Sequence, residues 1–268
     1  MSAAGPAARG AEPAGEGAKP AAPPPAAPAA SPPSNASADP AANARFDELW
    51  KRRDDPAALA ELKQIVDRAV AAAPNDYGTL WRASSYYFWV SDDAARTHEE
   101  KATLGKAGWD LGERAVAVKP DGVEGQFFTA ATMGNYSLGI GIVRALMQRI
   151  EGKFVARLQA AERIDAKFAH GGIAVAWGRY WAKLPWPKYN KEKAVIAYRR
   201  AIEMNPHNLR GRVYWAELSL EEGDPALAKK LLDEVAAAQP GRYDAPEERR
   251  AKALGAALAP KLAEALKR

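Results

Sequence analysis

The side chains able to do acid–base, nucleophilic or metal chemistry are few and scattered. Three histidines, His98, His170 and His207, stand far apart, and none lies in an HExxH, GxSxG, P-loop or GxGxxG setting. His98 sits beside Glu99 and Glu100 in a charged stretch, His170 precedes Gly171-Gly172 in a turn, and His207 follows Pro206. The adjacent acids Asp92-Asp93 and Glu221-Glu222 read as helix ends rather than as an acid/base pair. With no cysteine in the chain, disulfides, thiolate zinc sites and cysteine nucleophiles are excluded. The expectation is a protein that is not an enzyme and takes no metal or cofactor.

What the residues offer instead is apolar and aromatic binding surface. Phe127 to Val143 runs 17 residues without a charge and places glycine at 134, 139 and 141, each costing about 1 kcal/mol inside a helix. Such a segment suits the wall of an apolar cavity with Asn135 and Tyr136 as polar handles; a buried central helix pair would use the same residues. Trp177 to Tyr189 holds Trp177, Tyr180, Trp181, Trp186 and Tyr189, with Pro185 and Pro187 stiffening its exit. That density fits a ligand pocket or interface, and equally a long loop pinned to its scaffold. Tyr86-Tyr87-Phe88-Trp89, with Trp81 upstream, covers both faces of its helix, so one side must meet something beyond its immediate neighbour.

The elements that must position these residues read as helix after helix, with Pro, Asn-Asp, Asp-Gly and Gly-Asp punctuation and no two-residue alternation long enough for a sheet. Helices are expected at 43–53, 57–73, 76–90, 94–118, 122–136, 139–165, 167–183, 191–204, 208–222, 225–238 and 246–267. Four helix-ending prolines mark a repeat: Pro74, Pro120, Pro206 and Pro240. The last interval is 34 residues, the tetratricopeptide period. Ala194, Tyr198, Ala201 and Pro206 reproduce the second-helix pattern A-x3-F-x2-A-x4-P with Tyr for Phe, and Ala228, Leu232, Val235 and Pro240 keep its spacing. Small residues let paired helices close, the large one fills the groove between them, and proline stops the helix. The first helices lack the usual Trp-Leu-Gly-Tyr spacing. The wider upstream intervals predict two insertions, a short one around Ser91 to Leu104 and a long one from Met133 to Gly172. The fold class is therefore all-α, a TPR-like helical-hairpin solenoid with inserted helices, behind a disordered tail.

That tail is residues 1–42, with 17 alanines, 10 prolines and no aromatic residue, too little apolar surface to offset ordering entropy. The domain is residues 43–268, which carry all the aromatic residues. The whole chain has 38 Lys plus Arg against 33 Asp plus Glu, a mild excess interleaved with acids, so nucleic acid is not an expected partner. No uncharged run is apolar enough to span a bilayer, and no signal peptide is read at the start. Many bacterial lipoproteins, however, carry such an Ala/Pro-rich leader directly after their lipidated cysteine, and Met1 stands in that place; a cytoplasmic protein with a low-complexity arm is the alternative.

With the tandem second-helix motifs beside Gly134-Asn135-Tyr136 to Gly141-Ile142, and Gly178-Arg179-Tyr180 leading into Leu184-Pro185-Trp186-Pro187, the chain resembles the T-component (TatT-like) proteins associated with TRAP transporters over residues 45–240. The resemblance implies a periplasmic, membrane-tethered lipoprotein with cryptic TPRs, some relatives forming homotrimers around a pore. It implies an apolar crevice working beside a periplasmic solute-binding protein or other transporter component. It also implies that Phe127, Met133, Tyr136, Leu138, Ile140, Ile142, Trp177, Tyr180 and Trp181 line that crevice, and it carries no catalytic residue. The expected function is to hold a hydrophobic small molecule, a lipid, sterol or fatty acid, as an accessory of transport. A protein–protein scaffold with a concave groove is the second reading.

Overall fold

The computed structural model describes residues 39–267, and the expectation for residues 1–38 lies outside them. Helices follow in the order α1 (Pro40–Trp50), α2 (Pro56–Ala72), α3 (Tyr77–Ser91), α4 (His98–Val118), α5 (Val123–Ile140), α6 (Ile142–Met147), α7 (Ile150–Ile164), α8 (Phe168–Lys183), α9 (Lys191–Met204), α10 (Leu209–Glu221), α11 (Pro225–Ala237), α12 (Ala245–Ala257) and α13 (Ala259–Ala265), with no strand among the described residues. The starts are written in the sequence. Asp39, Asp55, Asp76, Asn190, Asn208, Asp224 and Asp244 each accept a first-turn backbone N–H, which satisfies a donor the helix itself leaves open. Thr97 and Glu100 form a reciprocal capping box at α4, so that helix starts four residues later than expected.

The helices pair as hairpins α1/α2, α3/α4, α5/α7, α8/α9 and α10/α11, each stacked on the next, with α12 packed on the last pair. The long insertion expected between Pro120 and Pro206 is thus mostly a further repeat. It hid because Ala166 stands where the other units carry proline, five residues after the fully buried Ala161. The helix expected over 139–165 is two, α6 and α7. Gly141 at φ +87° and Arg149 at φ +57° bend the chain on either side of α6. The C-terminal helix is also broken, after Leu258, where Ala259-Pro260 opens α13 because proline cannot donate back into the preceding turn.

Glycine explains how α4 and α5 approach so closely. A Cβ at Gly105 would lie 2.6 Å from the Tyr136 backbone nitrogen, and one at Gly139 would lie 2.8 Å from Cα of Ala102. The cost of glycine in these helices therefore secures a backbone-to-backbone contact that no side chain would permit. In the next hairpins the signature residue Tyr198 is fully buried between α8 and α10 with Ala182, Ala194 and Leu218. Its ring lies over Gly178, where a Cβ would meet Tyr198 Cζ at 2.8 Å.

Candidate functional site

The first helices of the hairpins share one concave side, and along it runs a cavity of about 690 Å³. Each helix contributes a stripe at the three- and four-residue spacing of one helical face. From α5 the stripe is Glu124, Phe127, Phe128, Ala131, Asn135 and Leu138; from α8 it is Gly172, Val175, Ala176, Arg179, Tyr180 and Lys183. Phe46 and Trp50 enter from α1, Trp81, Phe88 and Trp89 from α3, and Ile142, Ala145 and Leu146 from α6. The centre is a nest of rings. Trp81 stacks on Phe128 at 6.2 Å, Phe88 lies 6.1 Å from Phe128, and Phe168 sits edge-on to Phe127 and Phe128 at 5.5 and 6.2 Å.

Of the nine residues expected along a crevice, four line this cavity: Phe127, Leu138, Ile142 and Tyr180. The other five lie off the stripes. Met133 is fully buried with Ala145 and Ile150, and Ile140 packs into the same cluster. Tyr136 turns to Trp109, 5.6 Å away, and donates to Gln148 Oε1 at 3.3 Å. Trp177 donates to Glu162 and packs beside Leu158. Trp181 lies under the ammonium of Lys193 in the Tyr198 cluster. A contiguous segment overstates the lining, because only one helical face of it contributes. The sequence reading has Phe128 in its candidate wall and Trp81 and Phe88 in a separate cluster, and it misses the rings of Trp50, Phe154 and Phe168, which complete the same wall.

At one end the cavity is closed by a clasp between helices far apart in the chain. Arg210 on α10 is buried, donates through Nη1 to Asp92 Oδ2 at 2.7 Å and grips Glu247 with Nε and Nη2. Arg53, in the turn after α1, donates to Asp244 Oδ2 at 2.7 Å and lies between the rings of Trp50 and Trp89, at 4.5 and 4.3 Å. Arg250 covers the other part of Trp89 and donates to its carbonyl at 2.8 Å. Arg249 pairs with Asp54, and its hydrogen bond holds the Asp54 carboxyl below the usual range. Arg53, Arg210 and Arg250 thus balance Asp92, Asp244 and Glu247 around Trp89. The first hairpin is thereby joined to the start of α12, and the end of α3 to α10 and α12.

Along α8 the remaining cavity charges are also answered. Arg179 and Lys183 both bond Glu217, at 2.5 and 2.9 Å. Burial by itself raises the Glu217 carboxyl, but the charge of Arg179 and the bond from Lys183 outweigh it and hold the group below its ordinary value. A depressed carboxylate stabilises the fold above its ordinary value, about pH 4.3, and that contribution is lost as pH falls from there through the lower folded-state value. Wild-type Tm should therefore fall more steeply than that of Glu217→Gln between about pH 5 and about pH 3, read by circular dichroism melts. No group of three or more His, Asp or Glu is placed to hold a metal among the described residues.

No protein-family model matches the chain, and no curated protein matches it. Solved structures do. A thermophilic TPR protein of Thermus thermophilus, TTC0263, superposes with a TM-score of 0.58 at 17% identity, over 85% of this chain and 98% of that one. Two structures of MamA are similar at TM-scores of 0.43 and 0.40, with 13% and 12% identity, over 78% and 82% of this chain and 95% and 94% of theirs. By fold the chain is a TPR-like helical repeat.

Proposed function

We propose that this protein binds a hydrophobic small molecule, of the lipid, sterol or fatty acid class, in the concave cavity and does no chemistry on it. The observation that carries the reading is the ring-lined wall around Phe128. A groove that holds a partner's helix or tail through charge would expose unpaired polar groups, whereas here the acids and bases facing the cavity are mostly spent on one another. Asp47 pairs with Arg82, Glu124 accepts from Tyr77, and Glu151 accepts from Tyr180 and pairs with Lys188. Burying ten CH2 groups is worth about 8 kcal/mol, which corresponds to a Kd of about 1 μM without any ionic contact. The TatT-like resemblance extends the reading to a periplasmic, lipid-anchored accessory that hands its ligand to a transporter component, and to a homotrimer as one assembly.

Purified protein should carry or take up a lipid seen by native mass spectrometry, and should quench or sensitise dehydroergosterol, a fluorescent neutral sterol. Ala131→Trp, which fills the middle of the cavity, and Phe128→Asp, which charges its wall, should each weaken uptake by about a hundredfold or more, since losing a few kcal/mol of burial and burying a charge both act on the same site. Helical circular dichroism should stay unchanged for Ala131→Trp. Failure of sterol, fatty acid and phospholipid alike to bind wild-type protein would sink the proposal. The second reading, a scaffold for a protein partner, is favoured by the fold likeness, and predicts a partner captured through the rim that Ala131→Trp does not release.

A further inference from the structure

The short helix α6 stands apart from the rest of the repeat. It packs mainly on α5 and α7, between the positive-φ residues Gly141 and Arg149. Its inner residues Ile142, Ala145 and Leu146 line the cavity, so α6 is part of the cavity's wall. Its other side is neither buried nor polar: Val143 is 65% exposed and Met147 79% exposed. These two lie four residues apart and share a helical face. Arg144 and Arg149 flank them, both exposed and neither paired with an acid among the described residues. Other exposed arginines, Arg52, Arg163 and Arg242 among them, also lack a carboxylate partner among the described residues; what sets this pair apart is that it flanks two large apolar side chains left in solvent on one short helix.

An exposed ring, Trp186, belongs to the same end of the molecule. The α8–α9 loop is tied to the first turn of α7 by the Lys188–Glu151 ion pair, two residues beyond Arg149. Two residues before Lys188, Trp186 is 88% exposed. Tyr180 donates to the same Glu151 at 2.8 Å, which fixes this junction beside the cavity wall. Exposed aliphatic and indole side chains with unpaired arginines are the composition that enters a headgroup layer: tryptophan prefers the interface, apolar side chains reach the acyl boundary, and arginine meets anionic lipid. No helix among the described residues is long and apolar enough to cross a membrane, so the contact would be with a surface.

We infer that the outer face of α6, with Trp186, is a docking surface for an anionic lipid bilayer, placed so that a ligand passes between the membrane and the cavity behind α6. The passage rests on the ligand-binding reading above; the docking itself does not. The test is flotation of the protein with vesicles of phosphatidylcholine, alone or with about 30 mol % phosphatidylglycerol, at low and at roughly 0.15 M salt. An arginine near an anionic surface contributes about a fivefold gain in partition, so wild type should prefer the anionic vesicles by about 25-fold at low salt and lose most of that preference at the higher salt. Arg144→Gln with Arg149→Asn, the asparagine chosen because it tolerates a positive φ, should abolish the anionic preference. Val143→Glu with Met147→Glu should lower partition into both vesicle types at least about tenfold. Binding of dehydroergosterol in solution should be unchanged in either double variant, because those four side chains point away from the cavity. If wild type does not float with anionic vesicles, or floats equally with both double variants, the inference is overturned. If the glutamate pair instead dissociates an oligomer in sedimentation velocity while vesicle binding is absent, the face is an interface between copies and the inference is again overturned. Vesicle binding without sterol binding would retain the docking surface and remove the ligand reading.

Discussion

Replacing Arg210 by methionine should lower stability by about 3–5 kcal/mol, the cost of removing one partner from a buried charge network, and drop Tm by roughly 10 °C for a domain of this size. The side chain is 10% exposed, and its loss leaves the Asp92 and Glu247 carboxylates without their shared partner, with Arg250, 3.6 Å from Asp92, as partial compensation. Denaturant melts of Arg210→Met, Asp92→Asn and the double variant decide the point. If the three form a network, the double variant should be markedly more stable than the sum of the singles implies. Strict additivity would show that Arg210 acts only through packing. The same variant should loosen the end of the cavity, since Arg53, Asp244 and Tyr214 share the clasp with it.

The second large effect is expected at Tyr198. Truncation to alanine should cost about 3–5 kcal/mol, as for other large buried rings, because the ring fills the space between three helices and rests on Gly178. Tyr198→Phe should behave in the opposite sense. The hydroxyl is buried with no hydrogen-bond partner, so removing it relieves a desolvation penalty of about 1 kcal/mol or more and should raise Tm. A fall in Tm for the phenylalanine variant would mean that the hydroxyl has a partner, an ordered water being the simplest.

These two residues also separate what was legible in the sequence from what was not. Tyr198 announces itself, because its neighbours Ala194 and Ala201 lie within one helix and a proline follows at fixed distance; a local period carries the information. Arg210 does not, since its partners Asp92 and Glu247 are 118 and 37 residues away and nothing in the chain distinguishes it from Arg212, which pairs with an exposed glutamate. The ring wall falls between these cases. Its aromatic residues are conspicuous, but which of them meet depends on the rotation of α3, α5 and α8 about their axes. A rotation of one residue is about 100°, enough to send Tyr180 to the cavity and Trp181 into the Tyr198 cluster. The repeat formed by α5 and α7 was hidden by a single substitution of punctuation, alanine for proline at position 166.

The clasp has a further consequence for how the molecule comes apart. An open array of repeats behaves as a one-dimensional stack, and its outer units fray without consulting the rest. Here the turn after α1 is held by Asp244 and Arg249, and the end of α3 by Arg210 and Arg250. Neither α1 nor α12 is then a free terminus of the stack, and the loss of either exposes charged groups belonging to the other. The stack is fastened across by side-chain ion pairs, so fraying of an outer unit has to break them first.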